Sequence, residues 1–149
     1  MELYNKLSKD MMDAMKSHDK DTLSTLRLLK SAIDLQKINN KLAEITDELV
    51  IEVASKQVKQ HKESITEFRN AGRDDLADKL EREIKIISNY LPEQLSKEEI
   101  IKEIDRIFDL VKPESKKDMG KIMKEANVSL KGKADFKLVS EIVNSKLGA

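Results

Sequence analysis

Apolar residues recur every three or four positions along most of this chain, which is the spacing of one face of an α-helix. The most regular example is a seam of six residues: Ile51, Ala54, Val58, His61, Ile65 and Phe68. No segment with a clear period shows the strict alternation of a half-buried β-strand. The pattern therefore predicts an all-α protein, and the regular seam predicts close packing of one long helix against a neighbour.

Residues typical of helix ends divide the pattern into about seven helices. Asp19 or Asp21 and Thr46 are N-cap candidates for the second and third helices. The last helix begins after Asp135. Ser96 and Glu99 have the spacing of a capping box, in which each side chain accepts from a backbone amide near the other residue.

Pro92 predicts a domain boundary, because proline lacks an amide donor and disfavours helix in the residue before it. We expect an N-terminal domain, residues 1–91, built from about four helices as antiparallel hairpins or a bundle. Residues 92–95 are predicted to be a connector. A small three-helix domain is then expected over residues 96–149.

The composition suits a protein in a reducing compartment, since the chain has no cysteine. The longest apolar runs are only a few residues, too short to cross a bilayer, and the first residues are amphipathic rather than signal-like. These features predict a cytoplasmic protein with no membrane contact.

The net charge of the whole chain is zero, but positive and negative residues are distributed unevenly along the sequence. Residues 92–111 carry a net charge of −3, whereas residues 112–149 carry nine lysines and five carboxylates, a net charge of +4. The basic end contains the run Lys131-Gly132-Lys133. Lysines beside a flexible backbone suit phosphate contacts, but Gly132 is explained equally well as a turn between helices, and Gly120 as a residue that permits close helix packing.

Catalysis by this chain alone is not predicted. The two histidines are far apart, no cysteine is present, and no spacing suggests a metal site or a phosphate-binding loop. No cofactor is expected. His61 is interpreted as a packed residue of the apolar seam rather than a titrating group.

A second basic stripe is predicted on the third helix. Its members, at intervals of 3, 7 and 4, are Lys59, Lys62, Arg69 and Arg73. Such a stripe suits a phosphate backbone, but the acidic residues Glu63, Glu67 and Asp74 interleave with it. A solvated, internally paired surface is the favoured interpretation.

Several segments resemble the GatB/YqeY family, which includes the tail of the B subunit of tRNA-dependent amidotransferases and short stand-alone YqeY proteins. The tail motif corresponds to Asp118-Met119-Gly120-Lys121 with Met123, and to Lys131-Gly132-Lys133-Ala134-Asp135. Earlier segments that resemble the stand-alone proteins are 22–32, 56–64, 71–76 and 90–96. The similarity covers nearly the whole chain in order.

The resemblance implies a tRNA-binding accessory module that functions in translation. The family label is carbon–nitrogen ligase with glutamine as amido-N-donor, but amide transfer in the amidotransferase belongs to other domains and subunits. The predicted RNA-binding residues are Gly120, Lys121, Lys124, Lys131, Gly132, Lys133 and Lys137.

An alternative function is a helical adaptor that docks on amidotransferase subunits or on an aminoacyl-tRNA synthetase. The charge balance through Leu91, 16 basic against 17 acidic residues, and the 3% aromatic content favour this alternative. One departure from the family is Phe136, where relatives often carry glycine. We interpret Phe136 as a core anchor rather than a base-stacking surface.

Overall fold

The computed structural model describes residues 2–148, and every regular element in that range is helical. The predicted all-α class is confirmed. The seven α-helices of this range are α1 Glu2–Lys16, α2 Lys20–Asn39, α3 Asp47–Asn70, α4 Asp74–Ile87, α5 Lys97–Val111, α6 Met119–Leu130 and α7 Phe136–Lys146. Two short 3-10 turns span Ser88–Tyr90 and Lys116–Asp118.

The predicted helix caps form as side-chain hydrogen bonds. The Asp19 carboxylate accepts from the backbone N–H of Thr22 at 3.2 Å, and the Thr46 hydroxyl accepts from the N–H of Leu49 at 3.2 Å. Ser96 and Glu99 make both bonds of the capping box. Each bond satisfies an amide that the first helical turn leaves without an intrahelical partner, so these caps fix where the helices begin.

Helices α1 to α4 pack against one another around one apolar core. The buried face of α2 contributes Leu26, Leu29 and Ile33. Tyr90 also belongs to this core and is 2% exposed, although the periodicity of α4 did not predict it. Its hydroxyl donates to the Asp10 carboxylate at 2.6 Å. Burial, followed by this hydrogen bond, raises the pKa of Tyr90.

Helices α5 to α7 surround a second, smaller core. Its fully enclosed members are aliphatic: Ile100, Ile104, Ile107, Ile122, Ala126, Leu130, Val139 and Val143. Phe108 and Phe136 are partly buried and pack against this cluster. The core assignment of Phe136 therefore agrees with its environment in the structure.

The chain divides into two compact units, the first ending at Pro92 and the second beginning at Glu93. Helical structure stops after the turn Ser88–Tyr90 and resumes at Lys97. Gln94 and Leu95 belong to the second unit, where Leu95 packs against the core.

Candidate nucleic-acid interface

The solvent face of α6 is basic and lightly paired. Lys121 and Lys124 lie one turn apart, and both are exposed. Val128 follows one turn further and is 81% exposed. Lys131, also exposed, comes directly after the last residue of the helix. Within residues 2–148, no carboxylate forms an ion pair with Lys124 or Lys131, so their charges are available to a ligand.

Lys121 contacts Asp118, but only loosely. Its Nζ lies 3.6 Å from Asp118 Oδ1, and its side chain is 74% exposed. The other carboxylate oxygen of Asp118 accepts from the backbone N–H of Glu114 at 2.8 Å. That backbone bond is the main cause of the lowered pKa of Asp118, and the charge of Lys121 adds to it. Asp118 thus makes its main hydrogen bond to the loop that precedes α6.

Gly120 is an exposed residue in the first turn of α6. A Cβ atom built at this position would meet no atom within 4 Å. Close helix packing therefore does not account for glycine here. An exposed glycine inside a helix is unfavourable relative to alanine by roughly 0.5–1 kcal/mol, whereas it leaves the first-turn backbone open to an approaching group.

Gly132 has the opposite environment. It is buried, has a φ of +75°, and its carbonyl accepts from the Gln94 side-chain amide at 2.6 Å. The carbonyl of Lys133 accepts from the N–H of Leu95 at 3.0 Å. The glycine backbone is thus used inside the second unit as a turn, and it is the flanking lysine side chains that reach solvent.

Lys133 and Lys137 extend the exposed basic surface beyond α6. Lys137 lies in the first turn of α7, whose N-cap is Asp135. Arg106 is the main cause of the lowered pKa of Glu103, and Lys133 makes a small contribution to it. A carboxylate therefore partly offsets the charge of Lys133, as Asp118 does for Lys121.

The four residues of the second stripe do not share one helix, which corrects the prediction. Helix α3 ends at Asn70, and Arg73 lies beyond it as the N-cap residue of α4. The chain reverses at Gly72, whose φ of +73° suits glycine at a helix C-terminus. Lys59 and Lys62 do lie exposed on α3.

Both arginines of this stripe are engaged by carboxylates. Arg69 reaches Asp74, Asp78 and Glu81 at 3.3, 3.1 and 3.0 Å. Arg73 Nε lies 3.2 Å from Asp75. These contacts raise the pKa of Arg69, mainly through Glu81 and then Asp78. For these two arginines the geometry agrees with the favoured interpretation of an internally paired surface, whereas Lys59 and Lys62 form no ion pair within residues 2–148.

His61 is half-buried, and its Nε2 lies 3.9 Å from Glu83 on α4. This is a helix–helix contact, as the apolar seam suggested. In the described part of the chain, no three His, Cys, Asp or Glu side chains are grouped to hold a metal ion. None of the helices in that part has both the length and the hydropathy of a membrane span.

Gln94 and Leu95 are the residues around the turn that sequence reasoning missed, since both were assigned to a connector. Their partners, Gly132 and Lys133, lie 38 residues further along the chain. Local periodicity carries no information about such distant bonds. The apolar character of Leu95, directly before the capping box, was the available signal.

The family model described as Yqey-like protein matches residues 4–147. The chain belongs to the YqeY-like family. The similarity of its tail motif to the amidotransferase B subunit is consistent with this membership. The chain is 39% identical over 90 residues to an uncharacterized protein of Schizosaccharomyces pombe. This match covers 60% of the chain and 72% of that protein.

Two further relatives carry the name "Altered inheritance of mitochondria protein 41, mitochondrial". The protein from Pyrenophora tritici-repentis is 34% identical over 148 residues, which is 97% of this chain and 80% of that protein. The protein from Vanderwaltozyma polyspora is 34% identical over 85 residues, 57% of this chain and 46% of that protein.

These names contradict the predicted cytoplasmic location, because the relatives are named as mitochondrial proteins. The prediction was wrong for a physical reason. A chain without cysteines and without long apolar runs is compatible with more than one compartment, so neither feature specifies a subcellular location.

Proposed function

We propose that this protein is a tRNA-binding accessory module whose second unit carries the RNA-binding surface. Of the predicted set, the residues proposed to contact RNA are the exposed ones: Gly120, Lys121, Lys124, Lys131, Lys133 and Lys137. Residues 96–149 then act as the counterpart of the amidotransferase tail domain, and the first four helices act as an antiparallel helical support. Gly132 contributes by shaping the turn that presents its two lysine neighbours.

The observation that carries the proposal is the unequal pairing of the basic side chains. Lys124 and Lys131 are exposed, and neither meets a carboxylate within the described residues. Arg69, in contrast, contacts three carboxylates. Cations without internal partners are those that gain most from neutralising phosphates, since no existing ion pair must be broken first.

Phosphate contact without base reading is the mode that this surface supports. Lysine ammonium groups fix the position of a nucleic acid but carry no sequence information. Phe108 and Phe136 pack against the core and are not presented for base stacking. We therefore expect affinity for the RNA backbone and weak discrimination among sequences.

The open first turn of α6 complements the lysines. The N–H of Met119 already donates to the Lys116 carbonyl in the preceding 3-10 turn, so the feature left for a ligand is the missing side chain at Gly120, which lets a phosphate oxygen approach the backbone there. Asp118 places a carboxylate near this end, but its main hydrogen bond goes to the loop amide of Glu114.

We further propose that amide transfer, the activity in the family label, is supplied by other subunits. No cofactor and no metal enter this proposal.

A salt-dependent titration with bulk tRNA tests the proposal. We expect the logarithm of the association constant to fall linearly with the logarithm of salt concentration, and the variant Lys131→Glu with Lys133→Glu to bind far more weakly than the parent. The matched control is Lys79→Glu with Lys85→Glu on α4, which makes the same change in net charge on exposed residues of the first unit. Equal affinities of the parent and the Lys131/Lys133 variant would exclude this site.

A further inference from the structure

The outward face of α2 exposes apolar side chains that the first core does not use. Leu28, Leu35 and Ile38 are 61%, 58% and 69% exposed. Leu28 and Leu35 are separated by two helical turns and therefore lie in one row, with Ile38 one turn further along. Single exposed leucines are common, but several on one face of one helix form a continuous patch of the kind that binds a partner.

A shallow hollow lies at the N-terminal end of this face. It is lined by Lys20, Leu23, Ser24, Arg27 and Leu28. Within residues 2–148, neither Lys20 nor Arg27 forms an ion pair. The hollow therefore combines an apolar floor with two cations that lack carboxylate partners.

A second hollow lies where the C-terminal end of α2 meets the following loop. Its apolar lining comes from Ile38, Ala43, Ile45 and the ring of Tyr4. Its charged lining residues are Asp34, Lys37 and Glu44, of which Asp34 is paired with Lys30. This hollow suits an apolar side chain.

The carboxylates on this helix do not cancel the cations of the first hollow. Asp34 accepts from Tyr4 Oη at 2.8 Å and from Lys30 Nζ at 3.0 Å. The ammonium group of Lys30 therefore compensates the charge of Asp34. Asp19 accepts from the backbone N–H and the hydroxyl of Thr22, and Asp21 lies in the first turn of α2, where the positive end of the helix dipole offsets a carboxylate. Both carboxylates are thus engaged at the helix start, and the ammonium of Lys20 and the guanidinium of Arg27 remain for a partner.

The two hollows are matched to a helix in length. Ser24 lines the first hollow and Ile38 lines the second. These two residues of α2 are fourteen positions apart, which at 1.5 Å per residue is roughly 21 Å. A partner helix of about four turns spans that distance and places side chains along it at the spacing of helix-in-groove recognition.

We propose that the outward face of α2 is a docking site for an acidic amphipathic helix of a partner protein. Its carboxylates pair with Lys20 and Arg27, its apolar row packs on Leu28 and Leu35, and one apolar side chain enters the hollow beside Ile38. A second copy of this chain fits less well because it would bring the same two cations to the interface. A bilayer fits less well because its surface does not fill a hollow.

The test uses the full chain and a synthetic amphipathic helix of about four turns, with leucines on one face and glutamates beside them. A matched peptide replaces each glutamate with lysine. We expect the acidic peptide to shift backbone amide resonances along α2, and to bind at least about tenfold more tightly than the basic peptide.

Three variants distinguish specific binding at this face from non-specific hydrophobic binding. Leu35→Glu should weaken the acidic peptide by at least about tenfold, whereas Leu110→Glu, which changes a 65% exposed leucine on α5, should leave its affinity unchanged. Arg27→Glu, which leaves Lys20 opposite one new carboxylate, should remove the preference between the two peptides. Unchanged thermal melts of all three variants exclude unfolding as the cause.

Three outcomes would overturn the proposal. The first is equal binding of both peptides, or resonance shifts that lie away from α2. The second is a dimer of the parent chain that Leu35→Glu dissociates, since the occupant would then be a second copy. The third is binding to anionic lipid vesicles, without peptide, that Leu35→Glu abolishes.

Discussion

The cations at the junction of α3 and α4 and those around α6 have the same sign but opposite surroundings. Arg69 and Arg73 are held by carboxylates at the start of α4, three of them around Arg69 alone. Lys124 and Lys131 have no such neighbours in the described part of the chain. The first set stabilises a connection between two helices, and the second remains available for a ligand.

The difference follows from where acidic residues fall in three dimensions. Asp74, Asp78 and Glu81 lie on α4, and the turn at Gly72 brings that helix back beside the end of α3. Around α6, Asp118 is already bonded to a backbone amide, and the charge of Glu125 contributes to the raised pKa of Arg106. A basic run in a sequence therefore indicates a ligand surface only when the fold leaves it unpaired.

Charge reversal in the two regions should have the most unequal effect on RNA binding. Lys121→Glu with Lys124→Glu should lower tRNA affinity by about tenfold or more at low salt and reduce the salt slope by about two, because each lost phosphate contact removes roughly 0.9 from it. Lys59→Glu with Lys62→Glu on α3 makes the same charge change and should alter affinity by less than about threefold. Filter-binding titrations at several salt concentrations measure both. A larger effect of the α3 pair would reverse the comparison.

The two glycines of the basic region should respond in opposite directions to alanine. Gly132→Ala should destabilise the protein by about 1–2 kcal/mol, since its φ is positive and its position is buried. Gly120→Ala should stabilise it by about 0.5–1 kcal/mol, because an added methyl group enters open space on a helix. Urea denaturation gives both values. If alanine at Gly120 stabilises the fold yet weakens tRNA binding, the glycine serves the ligand.

Removing an arginine and removing a lysine should separate folding from binding. Arg69→Ala should lower the melting temperature by a few degrees, since it leaves three carboxylates near one another without their shared cation. Lys124→Ala should leave the melting temperature unchanged and weaken tRNA binding. Circular dichroism melts and tRNA titrations on the same samples make the comparison. An Arg69→Ala protein that melts normally but loses tRNA affinity would contradict it.

The smallest expected effect concerns two carboxyl groups. Arg73 is the main cause of the lowered pKa of Asp75, so Arg73→Ala should return that pKa towards its ordinary value. The backbone N–H of Glu114 is the main cause for Asp118, so its pKa should stay low in Lys121→Ala. A lowered folded-state pKa stabilises the fold above the unfolded pKa of about 3.9, and this stabilisation is lost as pH falls through the folded value. Carboxyl carbon resonances followed from neutral to acidic pH measure both groups.

The sequence predicted the helical class and the helix starts well because both depend on local patterns. The Asp19, Thr46, Ser96 and Asp135 caps each involve residues two or three positions apart. Tyr90 was missed because its core position depends on Asp10, eighty residues earlier.

The sequence named candidate residues for the site, but it did not predict how they are arranged. Gly132 was weighed as a turn and Gly120 as a helix-packing position, and the structure agrees with the turn but shows open space around Gly120. Arg73 does not join its stripe because α3 ends at Asn70 and the chain reverses at Gly72. Such details depend on distant partners and on helix ends, the two things that periodicity determines least.

The bond between Gln94 and the Gly132 carbonyl has a practical consequence for dissecting the protein. A fragment cut at Ser96, where the capping box begins, would lose Gln94, which bonds Gly132, and Leu95, which bonds Lys133 and packs on the core. A fragment starting at Glu93 keeps both. Protease trimming of the intact chain should therefore stop before Gln94. A fragment that lacks Gln94 and Leu95 would lose the hydrogen bonds that hold the turn Lys131-Gly132-Lys133, even if its helices formed.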